Sequence, residues 1–328
     1  MTSPPHLANL PGYDFTPHYF HREGYRLHYL DEGSGEPLVM LHGNPTWSFL
    51  YRRFVRSLRE SYRVIVPDHA GCGLSDTPSE KLYRYTLSSR VADLEALLEH
   101  LGLTGRLTLF LHDWGGLIGT GYAARHPERI SRLVVFNTAG FLLPAEKKLH
   151  WTLRFARDSR LAAWLILKFN AFARLAVRLG CRARPMPGET RRAYTQACDS
   201  PERRRVTLRF VQDIPLSDRD PAYRTVLESQ DGLALFSQTP VLICWGEKDF
   251  IFNRDFLTEW MRRFPQAELH RFPRAGHYVT EDAFEEIIPV VKSFLGFQGS
   301  QGPQGHQGHE GHQGHEGPQG HQGHQGHE

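Results

Sequence analysis

Three side chains far apart in the chain, Asp113, Asp249 and His277, have types and settings that could perform covalent chemistry together. Asp113 ends an apolar run in "LTLFLHDWGG" and is followed at once by Trp114 and two glycines, where a small-residue helical pattern begins. A strand that turns through glycines into a helix lifts its corner side chain above the sheet and aims the helix start at it. This is the nucleophile elbow, best known as G-x-S-x-G. Here the corner holds aspartate, and Leu111 stands where the serine motif has a glycine. A serine must lose a proton to attack. A carboxylate is already ionised and attacks carbon directly, giving an ester. The helix start and nearby N–H groups are expected to keep it anionic, which leaves a histidine free to activate water in a second step.

The remaining groups follow in nucleophile–acid–base order. Asp249 lies in "CWGEKDFIF", with Glu247 as a near rival, and His277 lies in "FPRAGHYVTED". Asp249 would hold the imidazole tautomer and steady its positive charge. In "LHGNPTW", the N–H of Asn44 could form half an oxyanion hole with that of Trp114. The Asn44 amide and the Trp114 indole N–H are two further donors for one small space, suited to a soft anion or a developing carboxylate. Each residue also has a plainer reading. Aspartate is a common helix N-cap, Asp249 could be a turn residue, His277 a satisfied loop histidine and Trp114 simple core. The order and contexts together favour the catalytic reading. Asp68 in "VPDHAGCGLSD" reads as a loop anchor, and His42 and His112 as structural hydrogen-bond partners.

The elements that must position these groups alternate. "HYFHREGYRLHYLDEG" reads as a hairpin around Glu23-Gly24, and strands and helices then follow one another up to "VVFNTAG". The strands are apolar on both faces, the mark of a mostly parallel sheet covered by helices. Residues 141–235 read as helical, basic and aromatic, an insertion between the sixth and seventh strands that suits a cap over the strand ends. The chain thus divides into a core over 1–140, a cap over 141–235, the rest of the core over 236–297 and a low-complexity tail over 298–328. In the tail glycine recurs every third residue ten times. That period is collagen-like, although a flexible solvated tail is the simpler expectation. Its seven histidines could bind a metal but read more simply as spacer.

Composition excludes several classes. The net charge is +3, and the tail holds three Glu and no Lys or Arg, leaving +6 on the remainder. So mild a surplus gives no support to nucleic-acid binding. Four cysteines without paired spacing and no secretion-like start point to a reduced, cytoplasmic protein. No uncharged apolar run approaches the roughly 20 residues of a membrane span. The stretch "LAAWLILKFNAFARLAVRL" carries Lys168, Arg174 and Arg178 at helical intervals. It reads first as a cap helix lining an alkyl pocket, and second as a membrane-surface or partner-binding face.

"LHGNPTWSFLYR", "VPDHAGCGLSD", "LHDWGGLIG", "FNTAGFLLP", "CWGEKD" and "AGHYVTED" resemble the haloalkane dehalogenases of the α/β-hydrolase superfamily, over nearly all of residues 15–297. The Asn-plus-Trp pair with an acid after the seventh strand resembles the third dehalogenase subfamily. Asn137 stands where some relatives keep the acid, a role it cannot serve. The cap stretches "NAFARLA", "RRAYTQ" and "RFVQDIPLS" look most like bacterial cis-β-lactone decarboxylases of olefin biosynthesis. The resemblance implies Asp113 as nucleophile, Asp249 as orienter and His277 as base, with Asn44 and Trp114 binding the anion, and no cofactor or metal. It further implies an α/β-hydrolase fold with a helical cap, a hydrophobic substrate, possible assembly with olefin-pathway enzymes and peripheral membrane contact. The rival activity is haloalkane dehalogenation, and the rival of another class is a non-catalytic assembly protein. Epoxide hydrolases use two cap tyrosines; Tyr194 and Tyr223 lie in this cap but read as packing residues.

Overall fold

The computed structural model describes residues 10–144 and 147–296, so the Gly-x-y tail, its histidines and the first nine residues lie outside the described residues. An eight-stranded sheet organises the described chain, in the order β1-β2-β4-β3-β5-β6-β7-β8. Strands β1 (His18–Arg22) and β2 (Tyr25–Glu32) form the expected hairpin, and β2 pairs antiparallel with β4 (Arg63–Pro67). From β4 onward every pair is parallel, through β3 (Pro37–Leu41), β5 (Leu107–Asp113), β6 (Ile130–Thr138), β7 (Val241–Gly246) and β8 (Glu268–Phe272).

Why these strands show no polar alternation is visible in the two cores. Val39, Leu109, Leu111, Val135 and Ile243 pack into a cluster on one face, and Leu38, Phe110, Val134, Phe136 and Leu242 into another on the opposite face. Side chains alternate with period two, but both sides are covered, so the middles of the central strands are largely apolar on both faces. The covering helices include α1 (Arg52–Leu58), α2 (Leu87–His100), α3 (Trp114–Arg125), α10 (Arg254–Arg263) and α12 (Phe284–Phe294), with the short α11 (Val279–Asp282) before the last. Helix α2 begins where Thr86 accepts the Ser89 N–H and stops before Gly102 at φ +66°.

Between β6 and β7 the chain forms α4 (Trp151–Asp158), α5 (Arg160–Phe169), α6 (Ala171–Leu179), α7 (Gly188–Ala197), α8 (Pro201–Gln212) and α9 (Tyr223–Gly232). Helices α4, α5 and α8 pack on one another, and α6 packs on α5 and α7. Helix α9 instead packs on α3, within the layer that covers the sheet.

Candidate active site

Asp113 stands at the corner between β5 and α3 with φ 50° and ψ −127°, a conformation that side chains other than glycine seldom adopt. Its neighbours enforce it. Thr138 Oγ1 donates to the Asp113 carbonyl at 2.5 Å, pinning the turn to the end of β6. A Cβ on Gly115 would collide with the Leu41 carbonyl, and one on Gly43 with the Asp113 carboxyl itself. The helix start therefore sits against β3, and the carboxyl fills the space that Gly43 leaves.

The two carboxyl oxygens have different surroundings. Oδ1 accepts the Asn44 backbone N–H at 2.6 Å, while Oδ2 lies 3.7 Å from His277 Nε2. The other His277 nitrogen, Nδ1, donates to Asp249 Oδ2 at 2.8 Å, and Asp249 Oδ1 accepts the Ile251 N–H at 2.7 Å. The Asp249 side chain is wholly buried. Phe252 stacks flat on the imidazole, and His112 Nε2 donates to the His277 carbonyl at 2.9 Å. Burial pushes His112 down to about 3, so it is neutral and its donor role is fixed. Asn137 clips β6 to the end of β7: its amide donates to the Gly246 carbonyl and accepts the Gly246 N–H. It therefore fixes the strand end from which Asp249 is presented.

Burial alone would lower the His277 pKa, but the charge and hydrogen bond of Asp249, with the charge of Asp113, raise it above the ordinary imidazole value. For Asp113 burial is the largest effect and raises it; His277 and the Asn44 and Trp114 N–H groups oppose this without cancelling it. Those donors are present, but desolvation outweighs them. His277 thus stands between Asp249 and Asp113, and their charges raise its pKa.

Asn44, Asp113, Trp114 and His277 all line one cavity of about 440 Å³, otherwise walled mostly by apolar residues such as Phe141, Leu165, Ile166 and Phe172. Asp249 stands behind His277. The Trp114 indole packs against Phe210, and its N–H makes no hydrogen bond among the described residues. The Asn44 side-chain amide donates to the Thr207 carbonyl of α8 at 3.2 Å, so in this state it ties the core to the cap.

The other sequence candidates are elsewhere. Asp68 accepts N–H bonds from Ser48 and Leu74 and pairs with His28, anchoring the loop after β4. Glu247 pairs with Arg271. The Tyr194 hydroxyl donates to Glu281 at 2.6 Å, and neither Tyr194 nor Tyr223 lines the cavity. Sequence reasoning did not find the roles of Thr138, Thr207 and Phe252; "DFIF", with aromatics just past the acid, was the one visible signal for the last.

The α/β hydrolase fold family matches residues 36–284. The chain belongs to that family. This α/β-hydrolase is 48% identical to the cis-3-alkyl-4-alkyloxetan-2-one decarboxylase of Shewanella oneidensis, over 86% of this chain and 88% of that protein. It is 31% identical to haloalkane dehalogenase 2 of Mycobacterium tuberculosis, over 85% of this chain and 94% of that one. Among solved structures it superposes on haloalkane dehalogenase DbeA from Bradyrhizobium elkani with a TM-score of 0.77 and 24% identity, over 87% of this chain and 99% of that one, a likeness of fold. No helix among the described residues is long and apolar enough to cross a membrane.

Proposed function

We propose that this α/β-hydrolase decarboxylates cis-3,4-dialkyl β-lactones to cis-alkenes, with Asp113 as nucleophile. The observation that carries the reading is the Asp113 carboxyl, held at Oδ1 by Asn44 and facing an apolar cavity beside His277. The greater likeness to the lactone decarboxylase than to the dehalogenase supports the substrate class.

The electron count selects the carbon attacked. If Asp113 Oδ2 bonds to the ring carbon that bears the ring oxygen, that C–O bond breaks and a free carboxylate forms on the neighbouring carbon. That carboxylate leaves as CO2. Its C–C electrons become the alkene π bond and expel Asp113 as a carboxylate. Attack at the carbonyl carbon would instead release an alkoxide, with no leaving group for the alkene. The sequence consumes no water and no proton. In this reading the second N–H of the Asn44 amide and the Trp114 indole N–H donate to the carboxylate released from the ring, and a protonated His277 steadies Asp113 as attacker and as leaving group. The four free cysteines, three of them buried, suit a reducing cytoplasm. A dialkyl lactone is poorly soluble in water, so direct transfer from the enzyme that closes the lactone fits it.

The test is turnover in H2 18O. A cis-dialkyl lactone is expected to give cis-alkene and CO2 over many turnovers, with no mass gain in the peptide that carries Asp113. A bromoalkane that gave steady bromide release and 18O in Asp113, with no alkene from the lactone, would refute the proposal in favour of dehalogenation. A folded protein inactive on both would favour a non-catalytic role.

A further inference from the structure

The cap presents an apolar face that nothing among the described residues covers. Trp151 is 72% exposed, Leu161 58%, Leu175 52% and Trp164 51%, with Phe155 and Phe169 also exposed. All lie on α4, α5 and α6, which pack side by side. Left-handed Asn170, between α5 and α6, lets the chain bend back so that the two outer faces adjoin. Trp164 and Phe169 touch edge to face, so the aromatic surface is continuous along α5.

Two observations say what this face meets. The first is charge. From residue 159 to 188 the chain holds Arg160, Lys168, Arg174, Arg178, Arg182 and Arg184 and no Asp or Glu. None of these six forms a salt bridge among the described residues. Some other basic residues of the cap are paired, as Arg157 is with Asp158 and Asp220. A protein partner would tolerate either sign, whereas exposed Trp and Leu beside so large an excess of cations complement an anionic lipid surface. The second is continuity. Trp151, Phe155, Leu175 and Leu179 are exposed outside and also line the catalytic cavity, so its mouth opens within the face.

We propose that α4, α5 and α6 seat this enzyme on the surface of an anionic bilayer, Trp and Leu entering the headgroup region and Arg and Lys binding lipid phosphates. The cavity mouth then faces the bilayer, and an apolar substrate enters and leaves without crossing water. The seating rests on the exposed surface and not on the lactone reading.

Co-sedimentation of the full chain with vesicles tests it apart from turnover. The chain is expected to pellet with vesicles containing phosphatidylglycerol and not with pure phosphatidylcholine, and to be released as salt screens the attraction. Trp164→Asp and the pair Arg174→Glu, Arg178→Glu lie outside the cavity lining and should each lower binding by roughly tenfold or more. Their melting and their turnover of a short-chain substrate should stay unchanged. Failure to pellet with either vesicle, or salt-insensitive pelleting with both, overturns the proposal. So does a Trp164→Asp variant that still binds vesicles but falls from dimer to monomer, which makes the face a contact between copies.

Discussion

Asp113→Asn is expected to give an inactive protein that is more stable than the parent. Asparagine keeps the strained corner and an oxygen to accept the Asn44 N–H, so the change removes little but the buried charge. The sign follows from the raised carboxyl pKa, which already includes the attraction of His277 and both N–H donors. A carboxyl raised on folding is charged more easily in the unfolded chain. It destabilises the fold fully above its folded pKa, less as the pH falls through that value, and not at all below the unfolded value near about 4. Relief of this kind commonly gives roughly 0.5–2 kcal/mol, which raises the melting temperature by roughly 1–8 °C in a domain of this size. Loss of the proposed nucleophile should lower turnover on the order of 10⁴-fold or more. Scanning fluorimetry across roughly pH 5 to 9, beside an alkene assay, measures both. A variant that melts below the parent at pH 8, or that still makes alkene at the parental rate, refutes the account of Asp113.

Asp249→Asn removes the principal group that raises His277, so the imidazole should titrate at lower pH by NMR. The stability contributed by the imidazolium, present below the unfolded value and lost as pH rises through the raised one, should then be lost at lower pH. Turnover should fall by roughly 10²- to 10⁴-fold. Trp114→Phe keeps the ring against Phe210 but deletes the unpaired indole donor; kcat should drop on the order of 10²-fold with little change in melting. Gly43→Ala pushes a Cβ into the Asp113 carboxyl, and moving that group by about 1 Å should cost on the order of 10²-fold in kcat/KM.

The elbow was legible because its demands fall on neighbouring residues: an apolar strand, a corner residue and two glycines. The parallel sheet was legible because burial on both faces leaves its strands continuously apolar. The groups that hold the site in place were less so. Asn44 meets the Thr207 carbonyl from α8, and His112 meets the His277 carbonyl, 165 positions along the chain. Backbone carbonyls accept from any residue that packing brings near, so such contacts leave no mark in residue type or period. The electrostatics of Asp113 escaped for a related reason. Its donors are encoded beside it, whereas the burial that outweighs them comes from the cap and both cores.

The direction of the His277 pKa bears on which chemistry the site performs. Hydrolysis of an alkyl ester on Asp113 needs a neutral imidazole to take a proton from water, and raising the pKa withdraws that form. Alkene formation, as proposed, uses the Asp113 carboxylate twice, once to attack and once to depart, and draws no proton from the solvent. It gains from a nearby cation and from the absence of water. His277, with its pKa raised and its Nε2 3.7 Å from Oδ2, favours the first, and the largely apolar cavity wall the second. The same residues in the same order thus serve expulsion better than hydrolysis. In this reading the difference lies in the raised His277 pKa and the apolar cavity wall.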